Sequence, residues 1–357
     1  MFGNFDLCCP RRLRAALPTT LLRSTLFFAG LALAAPAPLA GAQSFGLTLG
    51  EPMLDLGEAA APDEPVFGHI VDVAWGPGGA ILVLDGHHRR LSAFGPDGGF
   101  LRQAGRAGEG PGEFLAPIAV EVVGENVLVF DAGLARVQRF RLDDEGLRFV
   151  DSVRLPAGAR GFCAIDDLLV TIGYSEGELV HIFTLEGEHV RSFGHPFHDD
   201  PVVAQLASNG HVLCVGGDAP AVVVVPMNFP TVYVYGLDGT LRWSVELPGF
   251  DGGTVGRSPS GTGVAFGPTE DGRPGHLPVS ALDVDGALLV QWGSVFKGMG
   301  SLEDITSVTS AAFDLEDGTP LDVPESLPRL DVADGNRVFS HANDPFPRVR
   351  VFELTRD

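Results

Sequence analysis

Two segments in the first third of the chain carry nearly the same residue pattern. The pattern is Val-x-Asp-x4-Arg-[Leu/Val]-x2-Phe, and it begins at Val83 and again at Val129, 46 residues apart. A repeat of this length indicates an array of similar supersecondary units, none of which can bury its apolar face alone. Radial arrays of four-stranded units are β-propellers. The repeat therefore predicts an all-β propeller.

Each unit has the composition of four short strands. In the first unit the apolar runs at 70–75, 80–84, 91–94 and 100–103 are separated by turns rich in Gly, Pro and Asp. Short apolar runs with turns at this spacing are typical of all-β domains. Asp-Gly or Glu-Gly turns recur before the last strand of later units. These later units are predicted at 118–155, 162–193, 202–247, 279–318 and 330–352.

The last unit stops after three strands. An unpaired strand edge would be a template for aggregation, and residues 45–56 offer the missing outer strand. We therefore predict a single six-bladed β-propeller over residues 43–357, with a closing blade shared between N- and C-terminal strands. The Gly- and Pro-rich segment 249–278 is predicted as an insertion between blades. Because this segment shows little alternation, blade counts of five and seven stay open.

The first 42 residues have the composition of an export signal. A basic leader that contains Arg11 and Arg23 precedes a short apolar run at 26–33, and Ala40-Gly41-Ala42 offers a small-x-small cleavage site. The apolar run is short for a bilayer span, so cleavage is favoured over a retained anchor. We predict a signal peptide at 1–42, a periplasmic or extracellular protein, and no transmembrane anchor after cleavage.

The net charge bears on which partners the protein can bind, and the cysteine content bears on whether it can form a disulfide. The net charge of −22 opposes binding to the phosphate backbone, so nucleic acid is not expected as a partner. Cys163 and Cys214 would remain after cleavage. A pair in an exported protein permits a disulfide. Both lie in apolar runs, however, and we favour buried thiols while leaving the bridge open.

The connection between the first two units has a distinctive sequence. Residues 105–114 read Gly-Arg-Ala-Gly-Glu-Gly-Pro-Gly-Glu-Phe, and Pro117 follows before the second copy of the repeat. This combination resembles the NHL-repeat six-bladed propellers, especially the exported bacterial members called simply six-bladed β-propeller proteins. The resemblance implies the fold, and most such relatives have no assigned chemistry. Fold alone does not set activity.

Two enzymatic branches of this architecture can be compared with the chain. Peptidyl-hydroxyglycine lyases have a metal-ligand His directly after the Pro of the Gly-x-Phe-x2-Pro segment, where this chain has Ile118. An aliphatic side chain cannot bind zinc. Lactonases of the regucalcin and gluconolactonase type begin with a Glu-Gly-Pro-x-Trp-like segment whose Glu binds calcium, and Glu64-Pro65-Val66 does not match it. Both comparisons weaken an enzymatic interpretation.

Four loops are expected to converge at one mouth of the channel, at 85–90, 105–114, 195–200 and 341–347. Loops on a rigid scaffold are where binding usually resides. The glycines of 105–112 would let a ligand approach the backbone closely, while the Gly-rich turns at 76–79 and 285–286 line the opposite face. The ligand-binding candidates are Arg106, Glu109 and Glu113, followed by His87, His88, Arg89, His341, Asn343 and Asp344.

The metal-binding and functional predictions follow from these loops. A mix of imidazole and carboxylate such as His195, His198, Asp199 and Asp200 could hold a divalent cation, although solvated side chains are the simpler interpretation. We favour an exported, non-catalytic recognition module for a peptide, protein or glycan, with no cofactor. The alternative is a metal-dependent hydrolase or lyase, similar to a lactonase, with calcium or zinc at the channel mouth.

Overall fold

The structure is a computed structural model of the 357-residue chain. It describes residues 43–57, 65–144, 146–156, 158–294, 308–324 and 326–356. The predicted signal peptide at 1–42 lies outside these residues. In the described part of the chain, no helix combines the length and apolar character needed to cross a membrane.

Two strands at the N-terminal end precede the first blade, namely β1 (Gln43–Ser44) and β2 (Leu47–Leu56). Blades 1 to 4 are antiparallel four-stranded sheets whose strands follow each other in chain order. Blade 1 contains β3 (Ile70–Trp75), β4 (Ile81–Asp85), β5 (Arg90–Phe94) and β6 (Phe100–Ala104). Blade 2 contains β7 (Pro117–Val123), β8 (Asn126–Asp131), β9 (Arg136–Asp143) and β10 (Gly146–Arg154).

Blades 3 and 4 continue this arrangement, with a short helix between them, α1 (Pro201–Ala207). Blade 3 contains β11 (Gly161–Ile165), β12 (Leu168–Ser175), β13 (Glu178–Thr184) and β14 (His189–Phe193). Blade 4 contains β15 (Gly210–Val215), β16 (Ala221–Pro226), β17 (Thr231–Gly236) and β18 (Leu241–Glu246). A two-stranded hairpin follows, formed by β19 (Thr254–Arg257) and β20 (Val264–Gly267).

The N-terminal strands complete the last two blades. Blade 5 contains β21 (His276–Val284), β22 (Ala287–Ser294), β23 (Thr309–Asp314) and β24 (Pro320–Asp322), and β1 adds a parallel fifth strand beside β24. Blade 6 contains β25 (Ala333–Asp334), β26 (Arg337–Ala342) and β27 (Arg348–Arg356), with β2 antiparallel to β27 as its outermost strand. The N-terminal segment thus joins the outer edges of two neighbouring blades.

The six sheets form a closed ring. The innermost strands contact each other in the order β3, β7, β11, β15, β21 and β25, and β26 of blade 6 contacts β3 of blade 1. The predicted all-β six-bladed propeller with a shared closing blade is confirmed, and the count of six replaces the alternatives of five and seven.

The second strand of each blade lies between two neighbouring sheets and is therefore apolar on both faces. All five residues of β4 and all six of β16 are buried. The apolar clusters run between blades rather than within them, since Leu84 of blade 1 packs with Val129 of blade 2. Phe45 and Leu47 pack in the same way against Leu282 of blade 5 and Leu354 of blade 6.

Three local features differ from the sequence-based expectation. Residues 202–207, predicted to begin unit four, belong to α1, because Asp200 caps that helix by accepting hydrogen bonds from the backbone of Val202 and Val203. The segment predicted as an insertion at 249–278 contains the β19–β20 hairpin, and its last residues already belong to β21. The preference for buried thiols is wrong, since Cys163 and Cys214 form a disulfide between the innermost strands of blades 3 and 4.

Candidate functional site

Successive strands of a blade run in opposite directions, so two kinds of connection emerge on the same face. These are the loops between second and third strands and the connections from one blade to the next. We call this side of the ring the loop face. It includes residues 65–69, 86–89, 105–116, 194–209, 247–275 and 343–347. The four loops selected from the sequence belong to it except for their end residues 85, 90, 341 and 342, which lie in strands.

Two aspartates at strand ends hold the loop face in place. Asp85, at the end of β4, accepts hydrogen bonds from the backbone of Gly68 at 2.9 Å and His69 at 3.2 Å. Asp131, at the end of β8, accepts from Leu115 at 2.9 Å and Ala116 at 2.8 Å. Burial opposes ionisation of Asp85, but hydrogen bonds from the backbone of His88 and Gly68 outweigh it and lower its pKa. Each aspartate therefore anchors the chain that enters its own blade.

The loop at 105–116 is ordered by its own side chains. Arg106 Nε donates to Glu113 Oε1 at 2.8 Å, and Glu113 Oε2 accepts from the backbone of Gly110 at 2.9 Å. The hydrogen bond from Gly110, followed by that from Arg106, lowers the pKa of Glu113. The Arg106 side chain is nevertheless 80% exposed. The loop therefore presents a cation whose position is set before any ligand arrives.

The glycines of this loop serve its internal packing. Gly105 has a φ of +94°, and a Cβ there would lie 2.4 Å from Cε2 of the Phe114 ring. Gly108 has a φ of +156°, and its Cβ would lie 2.1 Å from the Glu113 carboxylate. Only glycine fits both positions. Close approach to a ligand, which the sequence suggested as their role, is not needed to explain them.

Arg136 of blade 2 is the main anchor of this loop. Its guanidinium donates to the carbonyl oxygens of Glu109 at 3.0 Å, Gly110 at 2.9 Å and Glu113 at 2.8 Å. We expect Arg136→Ala to raise hydrogen exchange at 109–114 and to cost about 1–2 kcal/mol of stability, because three partly buried or exposed carbonyls lose a charged donor. Arg141→Ala, at an exposed position on the same strand, is the control and should leave both quantities unchanged. Equal exchange in the two variants would contradict this anchoring role.

The blade 1 candidates lie together on the loop face. The rings of His87 and His88 are 5.0 Å apart, and His88 Nδ1 lies 2.7 Å from Asp85 Oδ2. Arg89 has a positive φ of 54°. His88 is thus tied to the aspartate that anchors this region, while His87 and Arg89 occupy the turn beside it.

The blade 6 candidates divide into one exposed and two structural residues. His341 is not in a loop but on β26, 4% exposed, with its Nδ1 2.9 Å from Asp331 Oδ2. Asn343 accepts from the backbone nitrogen of Ile70 at 2.8 Å and donates to its carbonyl at 2.9 Å. This exchange fastens blade 6 to blade 1. Asp344 is the member of the three that is exposed in the loop.

The four metal candidates do not assemble into a metal site. His198 Nδ1 accepts from the backbone of Asp200 at 3.0 Å, and Asp200 caps α1 and pairs with Arg257 of β19. The hydrogen bond from Arg257 is the main cause that lowers the pKa of Asp200. His195 and Asp199 lie in the same connection. Within the described ranges, no three His, Cys, Asp or Glu residues are placed to hold a metal ion.

Several large apolar side chains are exposed on or beside the loop face. Six of the large ones belong to it, counting one at the start of β7: Val66, Leu115, Ile118, Leu206, Phe266 and Phe346. Phe266 is 56% exposed on the hairpin, which packs against α1. The others found among the described residues are spread singly over outermost strands: Met53, Leu101, Val150, Val190 and Leu241.

The innermost strands of blades 1 and 2 carry two acidic residues that were not among the candidates selected from the sequence. Burial raises the pKa of Asp72 on β3 to about 7. Burial, and after it the negative charge of Asp72, raises the pKa of Glu121 on β7 to about 8. Nearby, Asp331 pairs with Arg329 and His341. These two acidic residues are the only charged residues in otherwise apolar strand segments, Ile-Val-Asp-Val-Ala-Trp and Ile-Ala-Val-Glu-Val-Val. A single charged residue inside an apolar segment is the sequence feature that could have identified them.

Residues 61–170 match the model of a protein family described as 6-bladed beta-propeller. The chain folds as a six-bladed β-propeller, and over this segment it is similar to that family. A structure from Bacteroides fragilis, described as a presumed exported protein, is similar to this propeller with a TM-score of 0.58 at 12% identity, over 87% of this chain and 95% of that one. A Bacteroides thetaiotaomicron protein of unknown function gives a TM-score of 0.51 at 14% identity, over 85% and 72%. At these identities the similarity concerns the fold alone. No curated protein sequence matches the propeller.

Proposed function

We propose that this propeller is an exported, non-catalytic recognition module whose loop face binds a peptide, a protein or a glycan. The observation that carries the proposal is that six large apolar side chains are exposed on or beside that face. Exposed apolar surface rimmed by polar groups is typical of interaction sites. On the outermost strands the comparable side chains stand singly, which is ordinary for a soluble surface.

The polar surroundings support the same choice. Arg106 is held by Glu113 with most of its side chain in solvent, so it can pair with a ligand without a large loss of side-chain freedom. The loop that carries it is fastened by Arg136 and Gln138 of blade 2. Because this loop is already ordered, binding a ligand would cost little conformational entropy, which favours a role in recognition.

Export is proposed on three grounds. The predicted signal at 1–42 is one of them. The Cys163–Cys214 disulfide is the second, because such bonds persist in oxidising compartments. The third is the description of the similar Bacteroides fragilis protein as presumed exported. Intact-mass analysis of the protein recovered from its native cell envelope should find a chain that begins at Gln43, and recovery with 1–42 attached would contradict export with cleavage.

The binding proposal is tested with a phage-displayed random peptide library and a glycan array. We expect ligands selected by the wild-type protein to lose at least about tenfold in affinity, or about 1.4 kcal/mol, when Phe266→Asp and Phe346→Asp are combined. The matched control is Leu101→Asp combined with Leu241→Asp, which places the same two charges on outermost strands. Both double variants should melt within a few degrees of wild type, because the altered positions are exposed.

Two results would overturn the proposal. One is a set of selected ligands whose affinity falls equally in the two double variants, because binding would then not depend on the loop face. The other is turnover of a lactone and ester panel with calcium or zinc, accompanied by metal stabilisation of the fold. That second result would favour the metal-dependent hydrolase or lyase.

A further inference from the structure

The β19–β20 hairpin belongs to the connection between blades 4 and 5 and is firmly attached to the loop face. Arg257 of β19 pairs with Asp200, the residue that caps α1. At the base of the hairpin, a Cβ on Gly252 would lie 2.2 Å from the carbonyl oxygen of Asn228. The hairpin therefore packs directly on a loop of blade 4, and its strands are held in a fixed position.

The hydrogen-bond ladder of the hairpin decides which of its backbone groups point outward. Beside the turn, Ser258 donates its N–H to the carbonyl oxygen of Gly263 at 2.8 Å. Bonded and non-bonded pairs alternate along antiparallel strands, so Ala265 is bonded to β19, whereas Val264 and Phe266 are not. The N–H and C=O groups of these two residues point away from β19. No backbone group elsewhere in the described part of the chain bonds to them.

The residues of β20 leave this edge unprotected. Natural proteins usually guard a free strand edge with a charged residue, a proline or a bulge. β20 reads Val-Ala-Phe-Gly and contains none of these, whereas β19, at the other edge of the hairpin, carries Arg257. The outermost strands of blades 1 to 4 and of blade 6 each carry at least one charged residue, such as Arg102, Arg148, Arg191, Arg242 and Glu51.

We propose that the free edge of β20 binds an extended peptide segment of a partner protein as an additional strand. This inference rests on the proposed function of the loop face and names its kind of ligand. The outward N–H and C=O groups of Val264 and Phe266 match the backbone of an extended peptide, as in other cases of strand addition. Phe266 is 56% exposed and offers its ring to an apolar side chain placed opposite it on the peptide, a pairing that stabilises adjacent strands.

The length of the edge favours a peptide over a second copy of this chain. β20 has four residues and is therefore about 13 Å long. Two copies paired along this edge alone would bury much less than the roughly 800 Å² per partner of a standard stable interface. A peptide needs only enough contact to fix a few residues, and the hairpin is already ordered.

The first test uses synthetic peptides with the sequences that the wild-type protein selects from the phage-displayed library. Each peptide is made in a series with a single N-methyl group at successive residues. Every second N–H of a paired strand faces its partner. We therefore expect affinity to fall at least about tenfold when one of these groups is methylated, and to change less than about twofold at the residues between them.

The second test changes the protein. Val264→Pro removes one outward N–H at the first residue of β20, a position where a strand tolerates proline. Val264→Thr keeps the N–H and the branched shape of the side chain, and it is the matched control. The selected peptides should bind at least about tenfold more weakly to Val264→Pro and within about twofold of wild type to Val264→Thr. Should Val264→Pro disturb the hairpin, the N-methyl series still decides, because it leaves the protein unchanged.

Three results would overturn strand addition. They are selection of glycans but no peptides, N-methyl effects without a two-residue alternation, and a dimer in sedimentation experiments that is lost in Val264→Pro. The first two leave the loop face as the binding site, provided that affinity still falls in the Phe266→Asp and Phe346→Asp double variant. Equal affinity for that variant and for its Leu101→Asp and Leu241→Asp control would instead contradict the proposed function itself.

Discussion

A chain that starts at residue 57 is expected to lose cooperative folding, whereas one that starts at residue 43 should fold. The missing segment contains Phe45, Leu47 and Leu56, which are 2%, 4% and 9% exposed. Burial of three such side chains contributes about 5–9 kcal/mol, comparable with the whole stability of a typical domain. Removal also leaves β27 without its outer partner and β24 without β1. The measurement is thermal unfolding followed by circular dichroism, together with light scattering for aggregation.

Two single substitutions on this segment make the test quantitative. Phe45→Ala should cost about 3–5 kcal/mol, as is usual when a buried aromatic ring is removed. Met53→Ala changes a side chain that is 54% exposed on β2 and should stay within about 0.5 kcal/mol of wild type. A shortened chain that melts like the longer one, or equal effects of the two substitutions, would contradict closure by the N-terminal strands.

Loss of the Cys163–Cys214 disulfide is expected to have the second large effect. The two cysteines are 51 residues apart, and closing a loop of that length in the unfolded chain is worth about 4 kcal/mol in the chain-entropy model. Replacing both by Ala should lower the free energy of unfolding in urea by about 2–5 kcal/mol. Residues 43–357 without the signal segment contain no other cysteine, so reduction of the wild-type protein should reproduce the loss.

The double variant supplies its own control for this prediction. A reducing agent should leave its unfolding midpoint unchanged while lowering that of the wild type. If the wild-type midpoint did not respond to reduction, the bridge would contribute nothing to stability. If each single variant, Cys163→Ala or Cys214→Ala, cost less than the double, the loss would reflect packing of the side chains rather than the covalent bond.

The six-bladed propeller could be predicted from the sequence because local residue patterns specify it. The repeat that begins at Val83 and Val129, the Asp-Gly turns and the incomplete last unit each constrain a few neighbouring residues. Together they predict blades of four strands and a closing strand at 45–56. Alternation of strand direction then places all the selected loops on one face without any knowledge of side-chain contacts. The α1 helix was missed because its seven residues are too few to show a helical period, although Asp200 and Pro201 are a typical helix start.

The roles of individual candidate residues depended on contacts between distant parts of the chain. His341 was predicted in a loop, but pairing of β26 with β27 and contact with Asp331 place it inside the ring. Asn343 bonds to Ile70, 273 residues away. No local pattern contains information about such a partner, because the ring geometry alone brings blades 6 and 1 together.

The sequence by itself determined the blade, its turns and the need for a closing strand, since these follow from the period and from a last unit that has only three strands. Only the tertiary structure decided which ionisable and sulfur-containing side chains meet. Asp72 of blade 1 accepts a hydrogen bond from Val120 of blade 2, and Cys163 of blade 3 is bonded to Cys214 of blade 4. These contacts form because the innermost strands surround the central axis of the propeller, where neighbouring blades are closest to each other.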